Sequence, residues 1–323
     1  MKSIIISAKD EGQTIFKFVK KYLDGAPLSF IEKLFRIKDI KVNKKRVDKS
    51  VVIKENDLVE IYITDQQYDE FNQKGEVIKI NKYPRIIYED DNILIANKPS
   101  GLLVHGDKNE KKFTLSNMVL SYLNDKGEYN YNDSFIPGPA HRIDRNTSGI
   151  VIFGKNIKSL QLLEKLFKER DDIHKSYLAL VSGHIKERGV IDKPLFKDES
   201  KSLVKVMPIE KGGKKAITEF ILKEKYQYAS LIEATILTGR THQIRVHFAS
   251  INHPLLGDSK YGDFSLNKKF EKEFKYTHQF LHAYRLKFGK IDGVLSYLSN
   301  KEFICELGDK EKEILKILKG GAR

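Results

Sequence analysis

The sequence contains few of the residues that build disulfides and metal sites. Only one of its 323 residues is a cysteine, Cys305, which excludes an internal disulfide and a multi-cysteine zinc site. The nine histidines are scattered without a His-Glu-x-x-His pair, and there is no acidic calcium loop. We therefore expect a protein without a metal.

Long apolar runs are also missing. No stretch of about 18 apolar residues occurs, and the mean hydropathy is −0.44. The first seven residues are too few, and too soon polar, for a signal peptide. The sequence therefore predicts a cytoplasmic protein that does not enter a membrane.

Negative charge is in deficit. The sequence has 58 Lys and Arg against 44 Asp and Glu, which gives a formal net charge of +14. A surplus of this size favours a polyanionic partner, either nucleic acid or an anionic membrane, and the low hydropathy makes the membrane the weaker choice. A Lys-rich composition without such a partner is the alternative. The length suits one large domain with an appendage.

Residues 1–63 are predicted to form a small basic α+β domain. The spacing of apolar residues predicts a first helix near residues 12–23. Ser-Phe-Ile-Glu at residues 29–32 is a capping-box pattern, which predicts the start of a second helix. Residues 40–47 alternate around a polar turn, as in a hairpin, and residues 57–63 predict a further strand.

The basic residues of this domain lie close together in sequence. Cations on a shared face would contact phosphates, because they displace the counterions condensed on nucleic acid. The candidates for RNA binding are Lys33, Arg36, Lys38, Lys41, Lys44, Lys45 and Arg46. A solvated charged face is the alternative interpretation.

The rest of the chain divides at Pro84. Residues 64–84 are polar and weakly patterned, which predicts a linker with some extended structure near residues 77–80. Residues 85–323 are assigned to a second, larger domain. Its predicted strands cover residues 85–89, 93–96, 150–153, 175–183 and 217–222, and its predicted helices cover residues 114–124, 159–170, 241–251 and 310–319.

The most informative stretch is His-Arg-Ile-Asp-Arg-Asn-Thr-Ser-Gly at residues 141–149. It places Asp144 between Arg142 and Arg145, just before an apolar strand. Nearby positive charge holds a carboxylate ionised, which a nucleophile or general base requires. A structural ion pair that pins the turn is the alternative, because such pairs perturb carboxylates too.

This stretch resembles the catalytic motif of the RluA-type RNA pseudouridine synthases. In that family the first Asp of the motif is essential, and it falls on Asp144. The usual pattern has Leu at Ile143 and Asp at Asn146, and neither departure affects the catalytic carboxylate. The resemblance further implies that Arg142 fills the gap left by a flipped base.

Four further segments, in the order found in the family, extend the resemblance over residues 85–290. They are Lys-Pro-Ser-Gly at 98–101, Lys-Ser-Tyr-Leu-Ala at 175–179, residues 237–248 and residues 279–286. The continuation at residues 105–107 is closest to the large-subunit ribosomal RNA enzymes of the RluC kind, and its His105 is interpreted as a hydrogen-bonded structural residue.

The resemblance also assigns roles to residues in these segments. It places Tyr177 against the target base and pairs Arg245 with Asp144, for which we expect bidentate geometry. It places Leu281 under the active site. Thr241 is the expected N-cap of the helix that carries Arg245.

The N-terminal domain resembles the small RNA-binding domain first seen in ribosomal protein S-four. The fold implied for the whole chain is α+β, in which this domain precedes a catalytic domain with a mixed, mainly antiparallel sheet and a central basic cleft. Such an enzyme isomerises uridine to pseudouridine and needs no cofactor.

The expected enzyme acts on large-subunit ribosomal RNA as a monomer. The same reaction on transfer RNA, and a non-enzymatic RNA-binding assembly factor, are the alternatives. An intact set of Asp144, Tyr177 and Arg245 favours the enzyme over the assembly factor.

Overall fold

The structure is a computed structural model of the chain. It describes residues 1–72, 78–130, 133, 135–199 and 203–320. The chain divides into two compact units. Unit 1 comprises residues 1–96, 105–141 and 152–165, and unit 2 comprises residues 97–104, 142–151 and 166–323.

Unit 1 begins with a small sheet and two helices. The strands pair in the order β1-β4-β2-β3, and the antiparallel pairs join β1 to β4, β4 to β2 and β2 to β3. Apolar side chains from both helices, including Ile15, Phe18 and Ile31, are buried against the sheet. The elements are β1 (Lys2–Ile5), α1 (Ile15–Tyr22), α2 (Leu28–Arg36), β2 (Ile40–Val42), β3 (Lys45–Arg46) and β4 (Leu58–Ile61).

The predicted order of helices and hairpin is confirmed here, but one local prediction is wrong. Helix α2 begins at Leu28 after Pro27, and no side chain caps it. Ser29 therefore lies inside the first turn and does not form the predicted capping box. Pro27 has its φ fixed by its ring and adopts the extended backbone that precedes a helix, so the helix begins two residues before the predicted Phe30.

The predicted linker contains a helix. Helix α3 (Asp65–Phe71) is capped by Thr64, and Gln67 completes a reciprocal capping box with it. Such a box satisfies two exposed backbone donors, so it stabilises a helix that has little apolar surface. Of the predicted extended stretch 77–80, residue 77 lies outside the described residues, and residues 78–80 form no strand.

The rest of unit 1 contains strands of the larger sheet and helix α4. Helix α4 is capped by Thr114, and its Ser116 hydroxyl lies 3.2 Å from His105 Nδ1, which makes His105 a hydrogen-bonded residue as predicted. Residues of β6, β8 and α5 belong to both units. The elements are β5 (Arg85–Glu89), β6 (Ile93–Lys98), α4 (Leu115–Asp125), β7 (Gly138–Pro139), β8 (Ser148–Gly154) and α5 (Ile157–Glu169).

Unit 2 is built on the sheet order β10-β13-β14-β9-β15-β8. The pairs from β10 to β15 are antiparallel, whereas β15 and β8 are parallel. The predicted α+β class with a mixed, mainly antiparallel sheet is confirmed. The strands are β9 (Ile173–Ser182), β10 (Arg188–Asp192), β11 (Leu195–Asp198), β12 (Leu203–Val206), β13 (Ile217–Lys225), β14 (Ala229–Ile236), β15 (Leu281–Phe288) and β16 (Glu302–Ile304).

The helices of unit 2 cover this sheet. They are α6 (Gln243–Ala249), α7 (Phe264–Phe274) and α8 (Asp309–Gly320). Phe270, Phe274 and Ile314 from α7 and α8 bury their side chains with Leu178 and Leu180 of β9. Among the helices that the structure describes, none combines the length and apolar character needed to cross a membrane.

Gly149 allows β8 to approach β15 closely. Its φ is +106°, and a Cβ at this position would collide with the backbone carbonyl of Ala283, its partner in the parallel pair. Any side chain here would therefore strain the backbone and push β15 away. Because β8 follows the loop that carries Asp144, this contact also fixes the end of that loop.

We expect Gly149→Ala to destabilise the protein strongly. The positive φ alone costs about 1–2 kcal/mol, and forced overpacking adds about 1–3 kcal/mol. Gly101→Ala is the matched control, because Gly101 also has a positive φ but a Cβ there meets no atom within 4 Å. Urea unfolding of both variants measures the difference. Equal losses of stability would show that the contact with Ala283 contributes nothing.

Candidate active site and basic groove

Asp144 lies in the loop that leads into β8. The amide of Thr147 donates to the carbonyl of Asp144 at 3.1 Å, which closes a turn. Ile143 and Thr147 on either side are buried, whereas the Asp144 side chain remains 29% exposed. The turn therefore holds the carboxylate at a surface that a substrate can reach.

Arg245 contacts this carboxylate, as predicted. It lies on the short helix α6 and is buried, and its Nη1 donates to Asp144 Oδ2 at 3.1 Å. The pairing is confirmed, but the expected bidentate geometry is wrong. One guanidinium nitrogen serves Asp144, and the other two serve a different carboxylate.

That second carboxylate is Asp258, to which no role was assigned from the sequence. Its Oδ2 accepts from Arg245 Nε at 2.7 Å, and its Oδ1 accepts from Arg245 Nη2 at 2.8 Å. Oδ1 also accepts from the amides of Lys260 and Tyr261. Asp258 is fully buried, so it fixes the plane of the guanidinium from behind and leaves Nη1 for Asp144.

The pKa of Asp258 reflects this arrangement. Burial by itself raises the pKa of this carboxyl, but the hydrogen bonds and charge of Arg245 and the two backbone amides outweigh it, so the pKa lies below its ordinary value. The carboxylate is therefore ionised and paired at neutral pH. The positive charge of Arg245 is therefore balanced by the Asp258 carboxylate.

His242 and Tyr261 line the other side of the carboxylate. His242 Nε2 lies 3.9 Å from Asp144 Oδ2, and its Nδ1 lies 2.8 Å from the Tyr261 hydroxyl. Burial lowers the pKa of His242 despite the nearby Asp144 charge, which favours neutral imidazole at neutral pH. The Arg245 guanidinium stacks over the Tyr261 ring, 5.1 Å from its centroid.

The start of helix α6 differs from the prediction. The residue that precedes the helix is His242, whose φ of +53° is left-handed, and it makes no side-chain cap. Thr241 is therefore not the N-cap. Gln243 instead ties the turn to the sheet, because its side chain accepts from Arg240 N and donates to Ile217 O. This conformation directs the His242 ring toward Asp144.

Tyr177 lies on β9 and is buried. Burial raises the pKa of its hydroxyl, and the negative charge of Asp144 raises it further. The hydroxyl therefore remains protonated at neutral pH. The interaction with the Asp144 charge brings Tyr177 into the same site, although its contact with a base remains a prediction.

Lys98 ties two loops of unit 2 together. It is fully buried, and its Nζ donates to the carbonyls of Pro99, Leu102 and Arg145 at 2.7–3.0 Å. Burial lowers the pKa of Lys98, and the Asp144 charge opposes that effect. Three acceptors match the three N–H bonds of the ammonium form. The Lys-Pro-Ser-Gly segment thereby holds the turn that follows Asp144.

Two other residues, Arg142 and Leu281, were predicted to lie at the active site. Arg142 is exposed beside Asp144 in the chain, and its role in RNA binding remains a prediction. Leu281 is buried on β15, and its position under the site also remains a prediction. Within the described ranges, no group of three or more His, Cys, Asp or Glu is placed to hold a metal ion.

Four of the predicted RNA-binding residues surround one groove in unit 1. Lys33, Arg36, Lys38 and Arg46 line a groove of about 1050 Å³, together with Lys49 and the rings of Phe30, Phe35 and Phe71. Cations beside aromatic faces suit a phosphate backbone with unstacked bases. We call this the basic groove.

The other three predicted residues lie outside the lining of the basic groove. Lys41 donates to the Tyr62 hydroxyl at 2.9 Å. Lys44 and Lys45 are exposed around the β2–β3 turn, where Asn43 and Lys44 have positive φ. Positive φ at both central residues is the type I′ pattern of a two-residue hairpin turn. Lys49 was not predicted to bind RNA, because it follows the hairpin and lies outside the predicted run of basic residues from Lys33 to Arg46.

We expect Lys33→Gln/Arg36→Gln to reduce the salt dependence of RNA binding. If two phosphate contacts are lost, the log–log slope falls by about 1.4–1.8, at about 0.7–0.9 per contact. Lys20→Gln/Lys54→Gln is the matched control, since both lysines are exposed and neither lines the groove. A salt titration of RNA binding measures the slope. The same slope in both variants would argue against the groove.

Comparison with known proteins assigns the family. The chain is 37% identical to an uncharacterized RNA pseudouridine synthase of Mycoplasma capricolum, over 94% of this chain and 97% of that protein. The chain belongs to the RNA pseudouridine synthase family. The family model for RNA pseudouridylate synthase matches residues 92–250, a range that contains Asp144, Tyr177 and Arg245.

Two further proteins are similar to this chain over most of its length. The Escherichia coli K12 protein named ribosomal large subunit pseudouridine synthase C is 33% identical over 89% of this chain and 88% of its own length. The structure of human RNA pseudouridylate synthase domain containing 4 aligns with a TM-score of 0.57 at 22% identity, covering 72% of this chain and 92% of that one. At this identity the structural likeness shows the fold.

Proposed function

We propose that this RNA pseudouridine synthase modifies uridines in large-subunit ribosomal RNA and that Asp144 starts the chemistry. The observation that carries the role of Asp144 is its position at the exposed end of a buried chain of charges, Asp258–Arg245–Asp144. The relatives named ribosomal large subunit pseudouridine synthase C support the choice of RNA.

The contacts of Arg245, Tyr177 and His242 support the role proposed for each residue. Arg245 donates a hydrogen bond to the Asp144 carboxylate and holds it in one orientation, as a nucleophile or base requires. Tyr177, a protonated phenol with an aromatic face, stacks against the uracil while it turns within the pocket. The neutral imidazole of His242 leaves the charge of Asp144 to be balanced by Arg245.

RNA binding precedes this chemistry. The enzyme must take the target uridine out of its stack, which costs a few kcal/mol that protein contacts have to supply. In the proposal, Arg142 fills the gap in the RNA, and residues 1–63 act as an RNA-binding domain through the basic groove. Residues 85–323 then carry the chemistry.

The test is to map pseudouridine in RNA from a strain that lacks the gene. We expect one or more pseudouridines to disappear from large-subunit ribosomal RNA and to return with the unaltered gene but not with Asp144→Asn. Sites lost from transfer RNA instead would assign the alternative substrate. Sites that return with Asp144→Asn would exclude Asp144 as the catalytic residue.

A further inference from the structure

Three cations gather beyond Tyr177 on the same side of unit 2. Arg170 follows the C-terminus of α5, Lys175 lies on β9, and Arg240 follows β14. Lys175 and Tyr177 are two residues apart in one strand, so their side chains project from the same face about 7 Å apart. We call Arg170, Lys175 and Arg240 the cation cluster.

Strand pairing brings the members of the cation cluster together. β9 and β14 are antiparallel, with Tyr177 opposite Ala234 and Lys175 opposite Ile236. The chain that continues past Ile236 therefore runs toward the residues that precede Lys175. This places Gly239 and Arg240 at the end of the sheet where Arg170 enters β9.

A close contact shows how near these segments come. The Arg170 guanidinium lies against Gly239, in the space that a Cβ at this position would occupy. Arg170 has a φ of +70°, which turns the chain sharply between α5 and β9. The Arg240 Nε donates to the carbonyl of Lys215 at 3.0 Å, which anchors its side chain. The cluster is therefore held by the backbone.

The cluster also lacks negative partners. Elsewhere in the chain, partly or fully buried cations such as Lys155 and Arg285 form ion pairs with glutamates. In the described residues, no ion pair joins Arg170, Lys175 or Arg240 to a carboxylate. Lys175 Nζ lies instead over the Phe167 ring, 4.9 Å from its centroid. Burying like charges together without a counterion is unfavourable, unless a ligand supplies the negative charge.

The pKa values of the cluster agree with this reading. Burial lowers the pKa of Lys175 to about 7, and the charge of Arg170 contributes to the shift. Burial also lowers the pKa of Arg170, and the Arg240 charge adds to that effect. A bound anion would reverse these shifts. Arg170 and Lys175 are half-buried, and Arg240 is exposed, so the cluster meets solvent on the side of Arg240.

We propose that Arg170, Lys175 and Arg240 bind a backbone phosphate of the RNA beside the target uridine. The inference rests on the proposed function, since it takes Tyr177 as the residue that meets the base. A phosphate held two residues along the strand from Tyr177 would fix the nucleotide by its backbone while the base turns. The contact reads no sequence, because phosphates are the same at every nucleotide.

The test compares Lys175→Gln/Arg240→Gln with Lys268→Gln in the full-length chain. Both alter cations of unit 2, and Lys268 is an exposed residue of α7. RNA binding is titrated with salt, using a transcript of large-subunit ribosomal RNA. Two lost phosphate contacts reduce the log–log slope by about 1.4–1.8. Between 50 and 200 mM salt, the double variant should therefore lose about tenfold less affinity than the unaltered chain.

A slope equal to that of the Lys268→Gln control would overturn the phosphate site. If the double variant fails to fold, Arg240→Gln alone serves as a second test, because Arg240 is exposed. The log–log slope of its RNA binding against salt should fall by about 0.7–0.9. Pseudouridine formation by the unaltered chain is measured in parallel. Its absence counts against the proposed function, whereas the salt slope alone decides whether the cluster binds phosphate.

Discussion

Asp144→Asn should abolish pseudouridine formation while the protein still folds and binds RNA. Asparagine keeps the size of the side chain and an oxygen for Arg245 Nη1, but it removes the charge. We expect activity to fall by at least roughly 10³-fold, within the range that a positioned acid, base or nucleophile supplies. Stability should change little, because the Arg245 charge keeps its buried partner Asp258 and the Asp144 side chain is partly exposed.

Asp292→Asn is the matched control, because it makes the same substitution at an exposed aspartate of unit 2 that caps no helix through its side chain. It should retain full activity. Single-turnover assays with radiolabelled uridine in RNA, together with RNA binding, give the comparison. Substantial product from Asp144→Asn would exclude the proposed role. Loss of RNA binding in this variant would instead assign Asp144 to recognition.

Arg245→Met should destabilise the protein more than any surface substitution. It leaves Asp258 buried with no counterion, and breaking a buried ion pair costs about 3–5 kcal/mol. It also removes the hydrogen bond to Asp144, so activity should fall with stability. Urea unfolding measures the first effect, and turnover of the folded fraction measures the second.

Arg245→Met/Asp258→Asn separates the two effects. The asparagine oxygen can still accept from the amides of Lys260 and Tyr261, and no buried charge remains. We expect this double variant to recover most of the lost stability and none of the activity. If it is as unstable as Arg245→Met, the loss comes from packing and the buried pair is not its cause.

Acid should also distinguish the double variant from the unaltered protein. The pKa of Asp258 lies below its ordinary value of 3.8 in the folded chain. Its ionisation therefore stabilises the fold above that value, and this contribution is lost as the pH falls below 3.8 toward the folded pKa. Arg245→Met/Asp258→Asn lacks this titration and should show a flatter decline.

The sequence predicted the interacting residues of the active site only where they belong to a recognisable motif. The 141–149 stretch and the segment around Arg245 identified the pair that lies 3.1 Å apart in the structure. Asp258 was not assigned a role, because its importance depends on complete burial and on two hydrogen bonds to one guanidinium. Neither burial nor bond geometry is visible in a short segment that otherwise resembles a loop.

Local predictions failed where two signals competed. Ser29 has a glutamate three residues later, but the helix begins earlier, at Leu28 directly after Pro27. Thr241 is a good N-cap residue, but the side chain of Gln243 binds the sheet and His242 takes up the left-handed conformation. At residues 64–67 the Thr-x-x-Gln capping signal was present, and the polar composition concealed the helix. Long apolar periodic segments such as α4 and α5 were predicted correctly, because burial and propensity agree there.

The three hydrogen bonds donated by Lys98 affect which positions of this region can change in sequence. All three acceptors of its Nζ are backbone carbonyls, which every amino acid provides. Substitutions at Leu102 or Arg145 therefore leave these bonds intact as long as the backbone keeps its course. Lys98 itself has no equivalent, because only lysine places three donors on a single side-chain nitrogen, whereas the five N–H groups of arginine are spread over a planar fork. We therefore expect position 98 to tolerate few substitutions, whereas positions 102 and 145 tolerate many.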